Sequence, residues 1–198
     1  MRKIPRQIAD RLLAAADLFA EKGLNDSKIE DVAAVTGVPK ATLYYYFTGK
    51  EEILAYLLED LLTDIADAVA AIVHTDGTGA ERLELVIGAQ LRAMAQRPAV
   101  CRALIGELGR AARMPVIAEM INTAYQQPVE ALLVAGARDG SLVAQPDPRS
   151  ASMALFGAVT INALMYLVAD QPLDETVVAG TLRAVMFDGL RPRRGDRA

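Results

Sequence analysis

Between Lys28 and Phe47 the chain places a small residue, Ala33, four positions ahead of a glycine, Gly37, with the apolar residues Val32 and Leu43 on either side of that glycine. Two short helices cross closely only where a small side chain stands at the contact, and a tight turn between them needs a position that tolerates positive φ. Val32 and Leu43 then fill the wedge between the crossing helices. Few folds other than a helix-turn-helix demand this combination within twenty residues.

The flanking sequence supplies the boundaries of such a unit. Residues 5 to 22 bring Ile8, Leu12, Ala15, Ala16 and Phe19 onto one face at helical spacing, and Gly23 is a natural stop. Ser27, three positions before Glu30, predicts a capping box at the start of helix two, which runs from Lys28 to Thr36. Pro39 predicts the first position of helix three, which Phe47, Thr48 and Gly49 end. Away from its core side helix three carries Lys40, Thr42, Tyr44, Tyr45 and Tyr46. Tyrosine rings pack on sugar or on the thymine methyl while their hydroxyls reach phosphate, so this face is expected to enter a DNA groove. For Tyr46, next to the apolar Phe47, plain packing is an equal alternative. Lys50 opens the next helix at the positive end of its dipole, where a cation is disfavoured unless an anion joins it. With Lys28 and the Ser27 hydroxyl it predicts a clamp on the DNA backbone.

Beyond Lys50 the apolar residues Leu54, Leu58, Leu61, Ile65, Ala68 and Ile72 recur at four and three, the mark of one long helix. The stretch from His74 to Gly79 reads as a linker. Helices are expected at about 80 to 96, 98 to 111, 115 to 138, 149 to 169 and 174 to 189, with Pro128 kinking the third of these. No alternating stretch marks a strand. The fold class is all-α: an N-terminal helix-turn-helix domain over residues 1–49, joined by a long helix to a helical bundle over 50–190, and a basic tail at 191–198 expected to be disordered.

Composition narrows what such a chain does. Residues 1 to 50 hold eight basic against six acidic side chains and the remainder 13 against 19, so a mildly basic head joins an acidic body. One cysteine and one histidine exclude an intrachain disulfide and a typical zinc set, so no metal and no cofactor are expected. Asp10 and Arg11 interrupt any apolar signal segment, which places the protein in the cytoplasm. Residues 151 to 169 approach membrane-spanning length, but Ser152, Gly157, Thr160 and Asn162 within them favour a buried or dimeric helix. No nucleophile motif, phosphate-binding glycine loop or metal-binding Glu-x-x-His pair supports an enzyme, so no catalytic residue is assigned.

The stretch LFAEKGLNDSKIEDVAAVTGVPKATLYYYFTGKEEIL, Leu18 to Leu54, resembles the N-terminal signature of the TetR family of bacterial regulators. The resemblance implies that Lys40, Ala41, Thr42, Tyr44 and Tyr45 contact bases and phosphates, and that Ser27, Lys28 and Lys50 contact the DNA backbone. Three departures stand out: Pro39 where the family often has a serine cap, Tyr46 where it often has histidine, and Gly49 where a capping Ser, Asn or Asp is usual. The family's last two helices usually form a four-helix dimer interface, and here they mix Ala, Gly and Ser with Leu, Val and Met. A dimer also suits two heads that must reach half-sites roughly 34 to 36 Å apart.

The expected function is a ligand-responsive, DNA-binding homodimer, a repressor released from a palindromic operator by a small apolar effector. In the body, Met94, Met114, Met120, Tyr125, Phe156, Met165 and Tyr166 are candidates for an adaptable apolar pocket, each also a plain core residue. Gln90, Arg102, Glu107, Asn162 and His74 are polar groups in or beside apolar stretches that need partners if buried. From these the expected ligand set is Gln90, Met94, Arg102, Met120, Tyr125, Phe156, Asn162 and Tyr166. Two alternatives stay open: a dimeric regulator without an effector, and an all-helical enzyme acting on an apolar substrate.

Overall fold

The computed structural model describes residues 4–103, 115–169, 171 and 173–187, and no strand occurs among them. Met114, Glu107 and the tail 191–198 lie outside the described residues. Two compact units divide the chain, one formed by Met1–Leu61 with Arg97–Ala118 and the other by Leu62–Gln96 with Glu119–Ala198.

The first unit begins with α1 (Arg6–Leu12) and α2 (Ala14–Lys22). The sequence predicts one helix here, and the interruption is slight: Leu13 keeps helical φ and ψ of −56° and −32°, and the Ala16 amide bonds to its carbonyl in a tighter turn. Then come α3 (Ile29–Thr36), α4 (Lys40–Tyr46), α5 (Lys50–Val73), whose residues to Leu61 belong here, and α7, described over 98–103. Leu12, Ala15, Ala16 and Phe19 from the first two helices meet Val32, Leu43 and Phe47 in one buried core, joined by Ile53, Leu54, Leu57 and Leu58 from α5. Burying each such Leu or Phe side chain contributes about 1.5–3 kcal/mol, which holds helices of seven or eight residues that would not persist alone.

Two helix starts differ from the sequence reading. Lys28, in extended conformation, is the N-cap of α3, and its amide donates to the Asp31 carboxylate at 2.9 Å. Ser27 does not cap α3, because its hydroxyl is buried and donates to the Gly23 carbonyl at 2.6 Å, satisfying the end of α2 instead. Pro39 sits one residue ahead of α4, and its carbonyl accepts from the Thr42 and Leu43 amides.

The second unit holds the rest of α5 with α6 (Gly79–Gln96), α9 (Gln127–Asp139), α10 (Pro148–Val168) and α11 (Glu175–Leu182); α8 (Pro115–Ile121) precedes α9 in the chain. The linker expected from His74 is the short loop between α5 and α6. Pro128 does not break its helix. A π-helical turn, Asn122–Gln126, stands just before α9, and its wider backbone accommodates a proline that cannot donate an amide to residue 124. Where α6 begins, a Cβ on Gly79 would overlap the backbone of Gly136 and stand 2.8 Å from the Leu132 carbonyl, so only glycine permits this approach of α6 to α9. The Gly79 amide donates to the Asp139 carboxylate at 2.7 Å and the Ala80 amide to the Ser141 hydroxyl at 3.1 Å, so the loop after α9 caps α6.

Candidate nucleic-acid interface

The turn between α3 and α4 is set by Gly37, which adopts left-handed φ of 62°. On one side of that turn Thr36 donates its hydroxyl to the Val32 carbonyl and accepts the Val38 amide, so the last turn of α3 leads into the next helix with its polar groups paired. Arg11 of α1 donates to the carbonyls of both Thr36 and Gly37.

With α4 packed through Leu43, its outward face carries Lys40, Ala41, Tyr44 and Tyr45, all exposed, with Thr42 and Tyr46 half-buried beside them. Tyr44 is 56% exposed and Tyr45 60% exposed, values that plain packing of large aromatic rings would not produce. Tyr46 stands edge-on to Tyr45, ring centres 4.9 Å apart, and buttresses it from the core side.

The charged groups around this face are largely committed inside the protein. Lys40 is paired with Glu30 of α3, a bond that holds the Glu30 carboxyl below its usual range and raises Lys40. Lys22 pairs with Asp31 at 2.6 Å, and that bond, followed by the Lys28 amide, holds the Asp31 carboxyl low. Lys50 donates to the carbonyls of Asn25 at 2.9 Å and Ser27 at 2.8 Å, two of its three N–H groups, and so ties the loop before α3 to the start of α5. Lys28 is exposed on that loop, whereas Ser27 beneath it is 1% exposed. At the other side of α4, Glu52 accepts from the amide and hydroxyl of Thr48 and so closes the turn that leads into α5. Arg11, read in the sequence only as a charge, and Glu30, read there as the capping-box carboxylate, shape this face through other partners. A lone charge on a helix gives no signal of a partner 25 residues away in sequence.

The body residues fall into separate places. Gln90 is buried on α6 and donates to the Thr160 hydroxyl of α10 at 2.8 Å. Tyr125, in the π-helical turn, is 1% exposed and meets Phe156 edge-on at 5.1 Å. Met94 is buried, Met120, Asn162 and Tyr166 are half-buried, Met165 is exposed and His74 lies exposed in its loop. Arg102 belongs to the first unit, 3.8 Å from Asp17 of α2. Burial pushes the Cys101 thiol up to about 12, which leaves it unreactive. Among the described residues no group of three His, Cys, Asp or Glu side chains is arranged to hold a metal.

Residues 12–57 match the family described as "Bacterial regulatory proteins, tetR family", and residues 76–163 match "Tetracyclin repressor-like, C-terminal domain". The fatty acid metabolism regulator protein of Bacillus subtilis (strain 168) is 23% identical over 180 residues, 89% of this chain and 92% of that protein. The HTH-type transcriptional repressor KstR2 of Rhodococcus jostii (strain RHA1) is 27% identical over 179 residues, 89% of this chain and 87% of that protein. Among solved structures, the transcriptional regulator FadR from Bacillus subtilis in complex with stearoyl-CoA shares the fold with a TM-score of 0.75 at 24% identity, over 93% of this chain and 98% of that one. A helix-turn-helix with an exposed aromatic face, followed by the helical body of the same family, leaves one assignment: the chain belongs to the TetR family and is a DNA-binding transcriptional regulator, not an enzyme.

Proposed function

We propose that this regulator is a repressor that binds a palindromic operator in the cytoplasm as a homodimer and releases it when an apolar effector enters the body over residues 50–190. The observation that carries the DNA half of this reading is the exposed pair Tyr44 and Tyr45 on α4. Residues 1–49 form the DNA-binding domain, with Lys40, Ala41, Thr42, Tyr44, Tyr45 and Tyr46 in the groove and Lys28 and Lys50 on the flanking phosphates. Ser27 serves by holding the loop beneath Lys28, since its own hydroxyl is used inside.

The last two helices support the dimer. Met153, Ile161, Met165 and Val168 are each about half exposed on α10, with Gly157 completing a spacing of four, four, four and three. Val177 on α11 and Val185 after it are 56% and 75% exposed. Helix α10 is also long and apolar enough to cross a membrane, with mean hydropathy 1.7. A second copy is the better cover for it in a chain whose family works on DNA, because Gly157 in the middle of the stripe lets a second helix approach closely.

The effector half rests on two relatives. Both matches come from Bacillus subtilis: the protein is named a fatty acid metabolism regulator, and the FadR structure is a complex with stearoyl-CoA. Effector and operator are coupled reciprocally, so each weakens binding of the other by the same factor. The deciding experiment is fluorescence anisotropy of a labelled duplex from the DNA upstream of this protein's own gene, titrated with stearoyl-CoA. Salt-sensitive binding above that of scrambled DNA, lost in Tyr44→Ala and weakened by stearoyl-CoA, is the expected result. Equal weak binding to both duplexes would sink the operator assignment.

A further inference from the structure

Among the described residues of the second unit, Gln90 Oε1 and the Tyr125 hydroxyl are buried polar atoms with no hydrogen-bond partner. Each belongs to a residue only 1% exposed, cut off from bulk solvent. Leaving such a group unpaired is costly, and native interiors pair nearly all of theirs. Arg82 Nε is unpartnered as well, but that side chain donates to the Val73 carbonyl at 2.9 Å and its charge stands near Asp139. Its place is the turn between α5 and α6. Gln90 and Tyr125 have no such account.

The two atoms are linked through one face of α10. Gln90 donates its amide to Thr160, and Tyr125 packs edge-on against Phe156, four residues earlier and so about one helical turn away. Tyr125 also sits in the π-helical turn, a departure from α geometry that occurs often at functional sites. With Gln90 Nε2 already used on Thr160, its Oε1 only accepts. Burial raises the Tyr125 hydroxyl far above its ordinary value, so it keeps its proton and is able to donate. The four side chains in this chain of contacts are uncharged, and an unpaired anion placed among them would meet a large desolvation cost.

We propose that Gln90 Oε1 and the Tyr125 hydroxyl are the polar anchors of the effector, and that they select an apolar molecule bearing a neutral hydroxyl. That group donates to Gln90 and accepts from Tyr125. An ester or thioester carbonyl accepts from Tyr125 but leaves Gln90 unpaired, and a carboxylate brings a charge with no counter-ion. This inference rests on the reading that an effector enters the body.

The test is calorimetric titration of the full-length protein with three probes of equal chain length: decan-1-ol, methyl decanoate and decanoate. Decan-1-ol is expected to bind about tenfold more tightly than the other two, since one good buried hydrogen bond is worth about that factor. Tyr125→Phe deletes an unpaired hydroxyl and keeps the ring against Phe156, so it folds at least as well as the native chain; because decan-1-ol and methyl decanoate both accept from that hydroxyl, the variant binds each about tenfold more weakly and keeps the preference between them. Gln90→Met is the second variant and reduces the same preference. Equal affinity for the three probes, affinities unchanged in Tyr125→Phe, or a preference unchanged in Gln90→Met overturns the inference. If decan-1-ol does not bind while stearoyl-CoA still releases operator DNA, the anchors are refuted and the effector reading stands; if stearoyl-CoA has no effect either, both fall.

Discussion

Arg11 of α1 donates from Nε to the carbonyl of Thr36 at 2.9 Å, and a second guanidinium nitrogen reaches Gly37, the residue that turns α3 into α4. The orientation of α4 therefore depends on a side chain of the first helix. Arg11→Ala is expected to destabilise the protein by about 1–2 kcal/mol, the range for charge-assisted bonds to backbone carbonyls at a part-exposed site. Its operator affinity should fall more than its stability. Urea unfolding and DNA anisotropy on the same preparation separate the two effects.

Tyr44 and Tyr45 are exposed, so removing either ring takes little from the fold. Tyr44→Ala and Tyr45→Ala are each expected to weaken operator binding by about 10- to 100-fold, the range for a good groove contact, while leaving the melting temperature within a degree or two. Tyr46→Ala differs, because a half-buried ring is lost from beneath Tyr45. It should lower both quantities. A melting temperature that drops equally in all three variants would place the tyrosines in the core.

Glu30 holds Lys40 inside the protein when DNA is absent. In the proposed complex DNA has to compete with that carboxylate for the lysine. Glu30→Gln is expected to raise affinity for any duplex several-fold, specific or scrambled, with little change in stability, because exposed ion pairs contribute little. Lys40→Ala should do the reverse and reduce the slope of log K against log salt by about one. A salt series on both variants checks the pair.

Asp139 accepts from the Gly79 amide at the start of α6, and the Ser141 hydroxyl, then the Gly79 and Ser141 amides, hold its carboxyl below the ordinary value of 3.8. A depressed carboxyl contributes stability that is present above its unfolded value and lost as pH falls through the folded one. The native chain should therefore melt higher than Asp139→Asn at pH 5 and above, with the gap closing below 3.8. Thermal melts of the two proteins across that range test the sign.

Ile161 and Met165 lie one turn apart on the exposed stripe of α10, at 47% and 53% exposure. Ile161→Asp places a charge where the second copy is proposed to pack, and is expected to give a monomer of unchanged helicity with operator affinity reduced by at least tenfold. Sedimentation velocity and circular dichroism decide it. A variant that stays dimeric would move the interface away from this stripe.

Much of this protein is legible in its residues. The all-helical class, the turn at Gly37, the loop after Val73 and the outward tyrosines of α4 follow from spacing and from the needs of single residues, because each is settled within one or two turns of chain. Periodicity also says which side of a helix is apolar. It does not say what covers that side, and here the pairings belong to tertiary structure: Arg11 with Thr36, Lys50 with the Ser27 carbonyl, Gln90 with Thr160. Those partners are separated by 25, 23 and 70 residues. The same limit explains Ser27, whose hydroxyl suits a cap in sequence but turns to Gly23 once the loop is folded, and the π-helical turn that stands before Pro128. Local geometry decided the helices and their faces; only the packed chain decided which polar groups found partners and left Gln90 Oε1 and the Tyr125 hydroxyl without one.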